Sequence, residues 1–141
     1  MKAERTPDKT FEDYLEAMLI IKERKGFIRS IDIAAELDVT KPSVTYTTKR
    51  LKERGYITMD SDNFITITDE GMKIAEKTYE RHKTLGKLFI HLGVGEKTAF
   101  EDACKVEHDI SRESFEAIKE YVLSQRANCA GCDHYLRSNT K

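Results

Sequence analysis

A cysteine, a glutamate and a histidine are spaced for joint chemistry in the last third of the chain, where Cys104, Glu107 and His108 form a C-x-x-E-H motif. Residues three and four apart share one face of an α-helix, so a helix would bring these side chains together. A thiolate, a carboxylate and an imidazole are ligands that divalent transition metals accept. The motif indicates half of a metal site. Alone it is weak, because Cys104 could equally be a small buried hydrophobe and the other two surface residues.

Three further residues could complete such a site from other helices. His82 lies on the apolar stripe predicted for a fourth helix, where a histidine is more often a hydrogen-bonded core residue than a ligand. Asp13 and Glu16 are three apart near the start of a first helix, where acidic side chains also favour the helix dipole. Crowded carboxylates repel one another unless a cation lies between them. Together the six residues predict a divalent-metal site built from three helices.

Helical periodicity predicts three short helices in the first part of the chain, at about 7–25, 31–37 and 41–54. Gly26 ends the first helix, and Ser30 is the predicted N-cap of the second. Thr40 is the predicted N-cap of the third helix, with Pro42 in its first turn, where a missing N–H is harmless. Gly55 stops this helix.

Two short β-branched stretches follow, at 56–59 and 64–68, on either side of a polar Asp-Ser-Asp-Asn sequence. This pattern predicts a β-hairpin. Three helices followed by a hairpin are typical of a winged helix-turn-helix, to which we assign residues 1–70.

The rest of the chain predicts three more helices, at about 69–92, 97–109 and 112–126. Gly93 and Gly95 separate the first two of these, and Ser111 is the predicted N-cap of the last. We assign residues 71–126 to a helical domain and 127–141 to a C-terminal tail. The predicted fold class is mainly α, with an N-terminal winged helix-turn-helix followed by a helical metal-binding domain.

The predicted recognition helix combines positive charge with short polar side chains. Residues 41–54 carry five basic side chains and one acidic side chain, although the whole chain has a net charge of −1. DNA affinity depends on the local field that meets the phosphates, and hydroxyl and basic groups suit phosphates and base edges. An ordinary solvated helix face is the alternative. We predict DNA contacts from Arg29, Thr40, Lys41, Pro42, Ser43, Thr45, Tyr46, Lys49 and Arg50, with Thr47 also exposed on this side.

Composition narrows the class of protein. No apolar run approaches the roughly 20 residues of a membrane span, and the N-terminal segment lacks the apolar core of a signal peptide. With only three cysteines in the chain, we expect reducing cytoplasm. The sequence shows neither a nucleophile–base pair nor a phosphate loop, so we expect a binding protein rather than a metalloenzyme.

A second group of potential ligands lies in the tail, where Cys129 and Cys132 form a C-x-x-C that is followed by His134. A zinc ribbon would need a second pair of cysteines. Two interpretations stay open: incidental thiols in a tail, or a second metal or redox site. The second would fit a metal-independent or zinc- or redox-responsive winged-helix regulator that senses through its cysteines.

Several segments resemble the diphtheria-toxin-repressor family of metal-dependent transcriptional regulators, and are most similar to its short manganese-transport-regulator branch. The resemblance covers about residues 5–126 and is carried by FEDYLEAMLII, SIDIAAELDVTKPSVTYTTKRL, GYI with TITDEG, ERH and EDACKVEHDIS. It implies a homodimer whose winged helices bind palindromic operator DNA, and whose C-terminal helices form the dimer interface. It also implies a repressor of metal-homeostasis genes.

The resemblance implies metal ligands at Asp13, Glu16, His82, Glu107 and His108. The sixth position is Cys104. The family's iron-responsive branch also has cysteine at this position, whereas the manganese branch has glutamate. Carboxylates suit Mn²⁺, whereas a thiolate favours Fe²⁺, Zn²⁺ or Co²⁺. We therefore expect a response to Mn²⁺ or Fe²⁺, with Zn²⁺ or Co²⁺ as alternatives.

The iron branch also has an ancillary metal site, and here the resemblance breaks down. Its positions correspond to Gly86 and Phe100, neither of which offers a ligand atom from its side chain. That second site is therefore not expected.

Overall fold

A computed structural model describes residues 8–125, which form six helices and one two-stranded antiparallel sheet. In chain order the elements are α1 (Lys9–Lys25), α2 (Ser30–Leu37), α3 (Lys41–Glu53), β1 (Ile57–Met59), β2 (Ile65–Ile67), α4 (Asp69–His91), α5 (Glu96–Val106) and α6 (Arg112–Gln125). The chain divides into two compact units between Lys77 and Thr78, within α4. None of the helices over 8–125 is long and apolar enough to cross a membrane.

In the first unit, α1 has a defined signal at each end. Asp8 caps its start by accepting a hydrogen bond from the Phe11 N–H at 2.9 Å. Gly26 ends it in the left-handed conformation, with φ 84°, as the sequence predicts. The helix contributes more buried apolar residues than any other element of this unit, with Leu15, Met18 and Ile21 fully enclosed.

The helix-turn-helix comprises α2, a tight turn through Asp38 in the left-handed conformation, and α3. Thr40 caps α3 as predicted, since its hydroxyl oxygen accepts a hydrogen bond from the Ser43 N–H at 3.3 Å. The prediction that Ser30 caps α2 is wrong. The N-cap is Arg29, which makes no capping bond with its side chain. The preceding residue, Ile28, is held extended by pairing with β2, so the helix starts one residue earlier.

The wing is the hairpin of β1 and β2, whose tip is closed by Asp60. The Asp60 carboxylate accepts hydrogen bonds from the N–H groups of Asp62 and Phe64, at 2.9 and 3.0 Å. Asn63 occupies the left-handed region with φ 65°. Ile57 pairs with Ile67 in the sheet, which confirms the hairpin predicted from the two β-branched stretches.

The start of α4 is fastened to the base of the wing. The Thr68 hydroxyl donates to the Gly55 carbonyl at 2.6 Å and accepts from the Gly71 N–H at 3.2 Å. A Cβ at position 71 would lie 2.1 Å from the Tyr56 carbonyl oxygen, so only glycine permits this approach.

In the second unit, α5 is shorter than the sequence predicts. It ends at Val106, and residues 107–110 form a turn before α6 begins. The Asp109 N–H donates to the Val106 carbonyl at 3.0 Å, which tightens the chain out of the helix. Ser111 caps α6 as predicted, with its hydroxyl oxygen accepting from the Ser114 N–H at 3.1 Å. The predicted helix ends at 7 and 126 lie outside the described residues.

Candidate metal centre and DNA-binding face

The centre of the candidate metal site is the carboxylate of Glu107, whose side chain is fully enclosed. One carboxylate oxygen, Oε2, lies 3.0 Å from Nδ1 of His82. The other, Oε1, lies 3.3 Å from Nε2 of His108, whose side chain is 3% exposed. Sγ of Cys104 on α5 also lies within 4.8 Å of a Glu107 carboxylate oxygen. Four of the six predicted ligands are therefore brought together within the second unit.

This arrangement fits a divalent transition metal. Burying a carboxylate costs several kcal/mol unless positive charge and hydrogen bonds compensate it. The imidazole of His82 provides part of that compensation through its contact with Oε2. The same nitrogen and oxygen atoms are the donors that Mn²⁺, Fe²⁺, Zn²⁺ and Co²⁺ bind.

Cys104 is placed differently from its two motif partners. It lies within α5 and is exposed, whereas Glu107 and His108 follow the end of that helix. As the spacing predicts, Sγ of Cys104 and a carboxylate oxygen of Glu107 lie within 4.8 Å of one another, although α5 ends between these residues at Val106. Glu107 keeps a right-handed helical conformation, and its N–H donates to the Ala103 carbonyl at 3.0 Å, so its side chain stays beside Cys104.

Arg81 is a residue of this site that the sequence motifs do not indicate. It precedes His82 on α4, and its Nη1 donates to the carbonyl oxygens of Glu107 and Ile110, at 3.2 and 3.0 Å. Its guanidinium carbon lies 5.1 Å from the ring centroid of Phe115 on α6. The available signal was a cationic residue beside the histidine on the apolar stripe of α4.

The imidazole of His82 also packs against an aromatic ring. The ring centroids of His82 and Phe100 are 5.3 Å apart, with the planes tilted by 39°. Gly86, one helical turn after His82, makes room for this ring, since a Cβ there would lie 2.3 Å from Cε1 of Phe100. Gly86 and Phe100 are therefore packed against one another.

Asp13 and Glu16 belong to the first unit, where both lie on α1. Glu16 is buried with 6% exposure, and Asp13 is half-buried. Glu16 is the one charged residue among the buried residues of a helix whose other buried side chains are apolar. A carboxylate in such a place needs a partner, which is typical of a functional position. Cys129, Cys132 and His134 lie outside the described residues.

The predicted DNA-binding face lies on the first unit. Most of the predicted residues are exposed, namely Arg29, Thr40, Lys41, Pro42, Ser43, Thr45, Tyr46 and Lys49. Arg50 is half-buried, with its guanidinium over the rings of Phe11 and Tyr46 at 5.1 and 5.6 Å. The prediction that Thr47 is exposed is wrong, because it lies one turn from the buried Val44 and Leu51 and is itself buried.

Arg29 is held at the base of the wing. Its guanidinium carbon lies 4.4 Å from the ring centroid of Phe64. Phe27 packs edge-on against the same ring, with centroids 5.8 Å apart. An exposed cation is thereby held beside the hairpin by aromatic contacts.

Two family models match the chain in tandem. The model "Iron dependent repressor, N-terminal DNA binding domain" matches residues 8–63. The model "Iron dependent repressor, metal binding and dimerisation domain" matches residues 68–133.

Curated relatives agree with these models. An uncharacterised HTH-type transcriptional regulator of Methanocaldococcus jannaschii is 39% identical over 116 residues, which are 80% of this chain and 92% of the relative. The HTH-type transcriptional regulator MntR of Lysinibacillus sphaericus is 30% identical over 122 residues, covering 86% and 88% of the two chains. The transcriptional regulator MntR of Escherichia coli O6:H1 is 34% identical over 116 residues, covering 82% and 75%.

Solved structures share the fold. The manganese regulator SloR superposes with a TM-score of 0.70 at 27% identity, covering 83% of this chain. IdeR from T. acidophilum superposes with a TM-score of 0.72 at 23% identity, covering 84% of this chain. The chain spans about half the length of these two proteins, 54% and 55%.

The fold and the two matched models define a metal-dependent, DNA-binding transcriptional regulator. The chain belongs to the iron-dependent repressor family, also called the diphtheria-toxin-repressor family, in its manganese-regulator branch. The resemblance noted in the sequence and the predicted fold class are both confirmed.

Proposed function

We propose that the protein is a homodimeric repressor of metal-ion homeostasis genes that binds operator DNA when it is loaded with Mn²⁺ or Fe²⁺. The observation that supports this most directly is the buried Glu107 carboxylate between the imidazoles of His82 and His108. It lies in the part of the chain that the metal-binding and dimerisation model matches. The exposed polar and basic face of α3 supports the DNA-binding role.

The proposed ligand set comprises His82, Glu107 and His108 from the second unit, together with Asp13, Glu16 and Cys104. Asp13 and Glu16 are included because of the family resemblance and because Glu16 is a buried carboxylate on an otherwise apolar helix face. Cys104 is included because of its family position, and its exposure leaves its thiol accessible. The bound ion would supply the positive charge that these carboxylates require.

The identity of the metal follows from the balance of donors. Several carboxylates and two imidazoles suit Mn²⁺ and Fe²⁺, and a thiolate at Cys104 shifts preference towards Fe²⁺, Zn²⁺ or Co²⁺. SloR, which shares this fold at 27% identity, is a manganese regulator. We propose Mn²⁺ or Fe²⁺ as the physiological effector, with Cys104 as the residue that decides between them.

In the proposed mechanism, metal binding raises DNA affinity by reducing the conformational freedom of the winged helix. Ligands from α1 and from the turn after α5 would reduce the number of arrangements that the winged helix samples. The two recognition helices of a dimer would then match successive major grooves, about 34 Å apart. Linkage requires the reverse effect as well, so operator DNA should tighten metal binding by the same factor.

DNA binding with and without metal tests the proposal. Operator sequences are first selected from random duplexes with the Mn²⁺-loaded full-length protein, and affinity is then measured by fluorescence anisotropy at fixed salt. We expect strong binding with Mn²⁺ or Fe²⁺ and loss of specific binding with chelator. Equal affinity in all three conditions would contradict the proposal.

A redox-responsive regulator is the second candidate, and the exposure of Cys104 is the observation that favours it. The same anisotropy measurement separates the two candidates when peroxide is added to chelator-treated protein. DNA binding that responds to peroxide and ignores metal would favour the thiol sensor.

A further inference from the structure

We propose that Arg81 is a positioning residue for the metal ligands: it holds the turn at residues 107–110 that carries Glu107 and His108, and links that turn to α6. This inference rests on the proposed function, since it concerns the same metal site. Arg81 is not offered as a ligand, because a guanidinium has no acceptor atom for a cation.

The first support is the pair of hydrogen bonds to the two ends of the turn. Nη1 of Arg81 donates to the carbonyl oxygen of Glu107 at 3.2 Å and to that of Ile110 at 3.0 Å. Carbonyl groups at the end of a helix lack partners within the helix and carry partial negative charge. Arg81 therefore caps the end of α5 from the side and fixes the backbone from which both ligands project.

The second support is the anchoring of α6 at the same place. The Arg81 guanidinium lies 5.1 Å from the centroid of the buried Phe115 ring. The preceding residue, Glu80, pairs with Lys119 of α6 at 2.5 Å. The hydrogen bond and the charge of Glu80 raise the pKa of Lys119. Two consecutive residues of α4 thus hold α6, and one of them also holds the ligand turn.

The third support is the cost of placing arginine here. The Nε atom of Arg81 is buried and has no hydrogen-bond partner among the described residues. An uncompensated N–H and a cation close to a cation site both disfavour arginine on simple energetic grounds. The positioning role gives a reason for arginine, because Nη1 can donate to two carbonyls while the planar face of the guanidinium rests on a ring.

The charge of Arg81 makes a positioning role distinguishable from a purely electrostatic one. If Arg81 acted only through its positive charge, removing that charge would tighten the binding of a divalent cation. If Arg81 positions the ligands, removing its side chain would weaken binding, although a repulsive charge is lost. Residues that orient metal ligands typically contribute about 10–100-fold in metal affinity.

The experiment compares Arg81→Met and Arg81→Lys with the wild-type full-length protein. Free Mn²⁺ is measured by electron paramagnetic resonance during titration, and the Co²⁺ absorption spectrum reports ligand geometry. We expect Arg81→Met to lower Mn²⁺ affinity about tenfold or more and to alter the Co²⁺ spectrum. Arg81→Lys keeps the charge and carries the same test if Arg81→Met does not fold.

The matched control is Lys83→Met, which removes a cation two residues along α4. Lys83 lies over the ring of Tyr79 at 4.0 Å. The Mn²⁺ affinity of Lys83→Met should stay within about threefold of the wild-type value. This change is smaller than the one expected for a residue that orients ligands. Hydrogen exchange at residues 107–110 should speed up in Arg81→Met and not in the control.

Three outcomes are decisive. Wild-type affinity, or tighter binding, in the folded Arg81 variants would overturn the positioning role while leaving the proposed function in place. Weakened binding with unchanged exchange in the turn would overturn it as well. If the wild-type protein bound neither Mn²⁺ nor Co²⁺, the proposed function would fail first and this inference with it.

Discussion

Nδ1 of His82 lies 3.0 Å from Oε2 of Glu107, which joins α4 to the turn after α5 across 25 residues of sequence. The Glu107 side chain is fully enclosed, so this contact takes place away from solvent. A buried carboxylate that faces an imidazole nitrogen on each side interacts strongly with a cation placed between them. Its response to substitution is therefore the most direct measure of what the site binds.

Glu107→Gln keeps the size of the side chain and removes its charge. We expect the variant to lose most of the thermal stabilisation that Mn²⁺ gives the wild type. A ligand at about 100 times its dissociation constant stabilises a folded protein by about 2.7 kcal/mol. The melting temperature of the metal-free variant should be equal to or higher than that of wild type, because without a bound cation the buried carboxylate of the wild type costs stability.

Calorimetric scans with and without Mn²⁺ measure both effects. The control is His91→Ala, which removes an exposed histidine at the end of α4. This control should keep the full Mn²⁺ shift. A full shift in Glu107→Gln would exclude Glu107 as a ligand.

Cys104→Glu replaces the thiol with the ligand type of the manganese branch. We expect the ratio of Mn²⁺ to Zn²⁺ affinity to rise, because a hard oxygen donor replaces a soft sulfur donor. Competition titrations with a chromophoric chelator measure both affinities. Cys104→Ala serves as the control, since it removes the thiol without adding an oxygen donor. A ratio unchanged in Cys104→Glu would show that Cys104 is not a ligand.

Much of this site could be predicted from sequence, and the remainder depended on where one helix ends. The spacing of Cys104, Glu107 and His108 indicated a metal site, and the place of His82 on the stripe of the fourth helix suggested a partner for them. The role of Arg81 could not be predicted, because it acts on backbone carbonyls that become available only when α5 ends at Val106. No residue that strongly favours a helix end occurs at Lys105, Glu107 or His108. The helix predicted from periodicity is therefore too long at its C-terminal end.

In the first unit too, the sequence predicts local features better than those that depend on distant contacts. The predicted hairpin and the Thr40 cap agree with the structure, because turn and cap residues act locally. The predicted start of α2 does not agree with the structure, because it depends on the pairing of Ile28 with Ile65, which joins distant segments of the chain. Such tertiary contacts override local capping preferences.

Lys49→Ala tests the DNA-binding face. Lys49 is exposed on α3 and is predicted to contact phosphate. We expect affinity to fall by a similar factor on all DNA sequences, and the slope of log affinity against log salt to decrease by about one. Lys22→Ala, an exposed lysine in the last turn of α1, is the control and should leave the slope unchanged. A loss confined to one operator sequence would indicate base contacts instead.

Arg29 and Phe64 form a pair that a double-mutant cycle can separate. The ring of Phe64 lies under the Arg29 guanidinium at 4.4 Å, so Phe64→Leu should release the cation without removing it. We expect Arg29→Ala to weaken DNA binding more than Phe64→Leu does. The double variant should be no weaker than Arg29→Ala alone, because the ring acts through the arginine. Additive losses would show that Phe64 contributes to DNA binding independently.

Gly86→Ala tests the packing that holds His82. The added Cβ would lie 2.3 Å from Cε1 of Phe100, so the ring must move or the helix must shift. We expect a loss of about 1–3 kcal/mol in the free energy of unfolding, as is usual for overpacking. Because the Phe100 ring lies against the His82 imidazole, with centroids 5.3 Å apart, Mn²⁺ affinity should fall as well. Urea unfolding and Mn²⁺ titration measure the two losses.

The compensating variant is Gly86→Ala combined with Phe100→Leu, since the smaller side chain leaves room for the new methyl group. We expect the double variant to recover part of the stability that Gly86→Ala loses, which gives a favourable coupling energy in the cycle. Phe100→Leu alone should cost stability through lost packing against His82 and Gly86. If the two single losses simply add, the methyl group does not act through Phe100, and the close approach of these two residues has no part in holding His82.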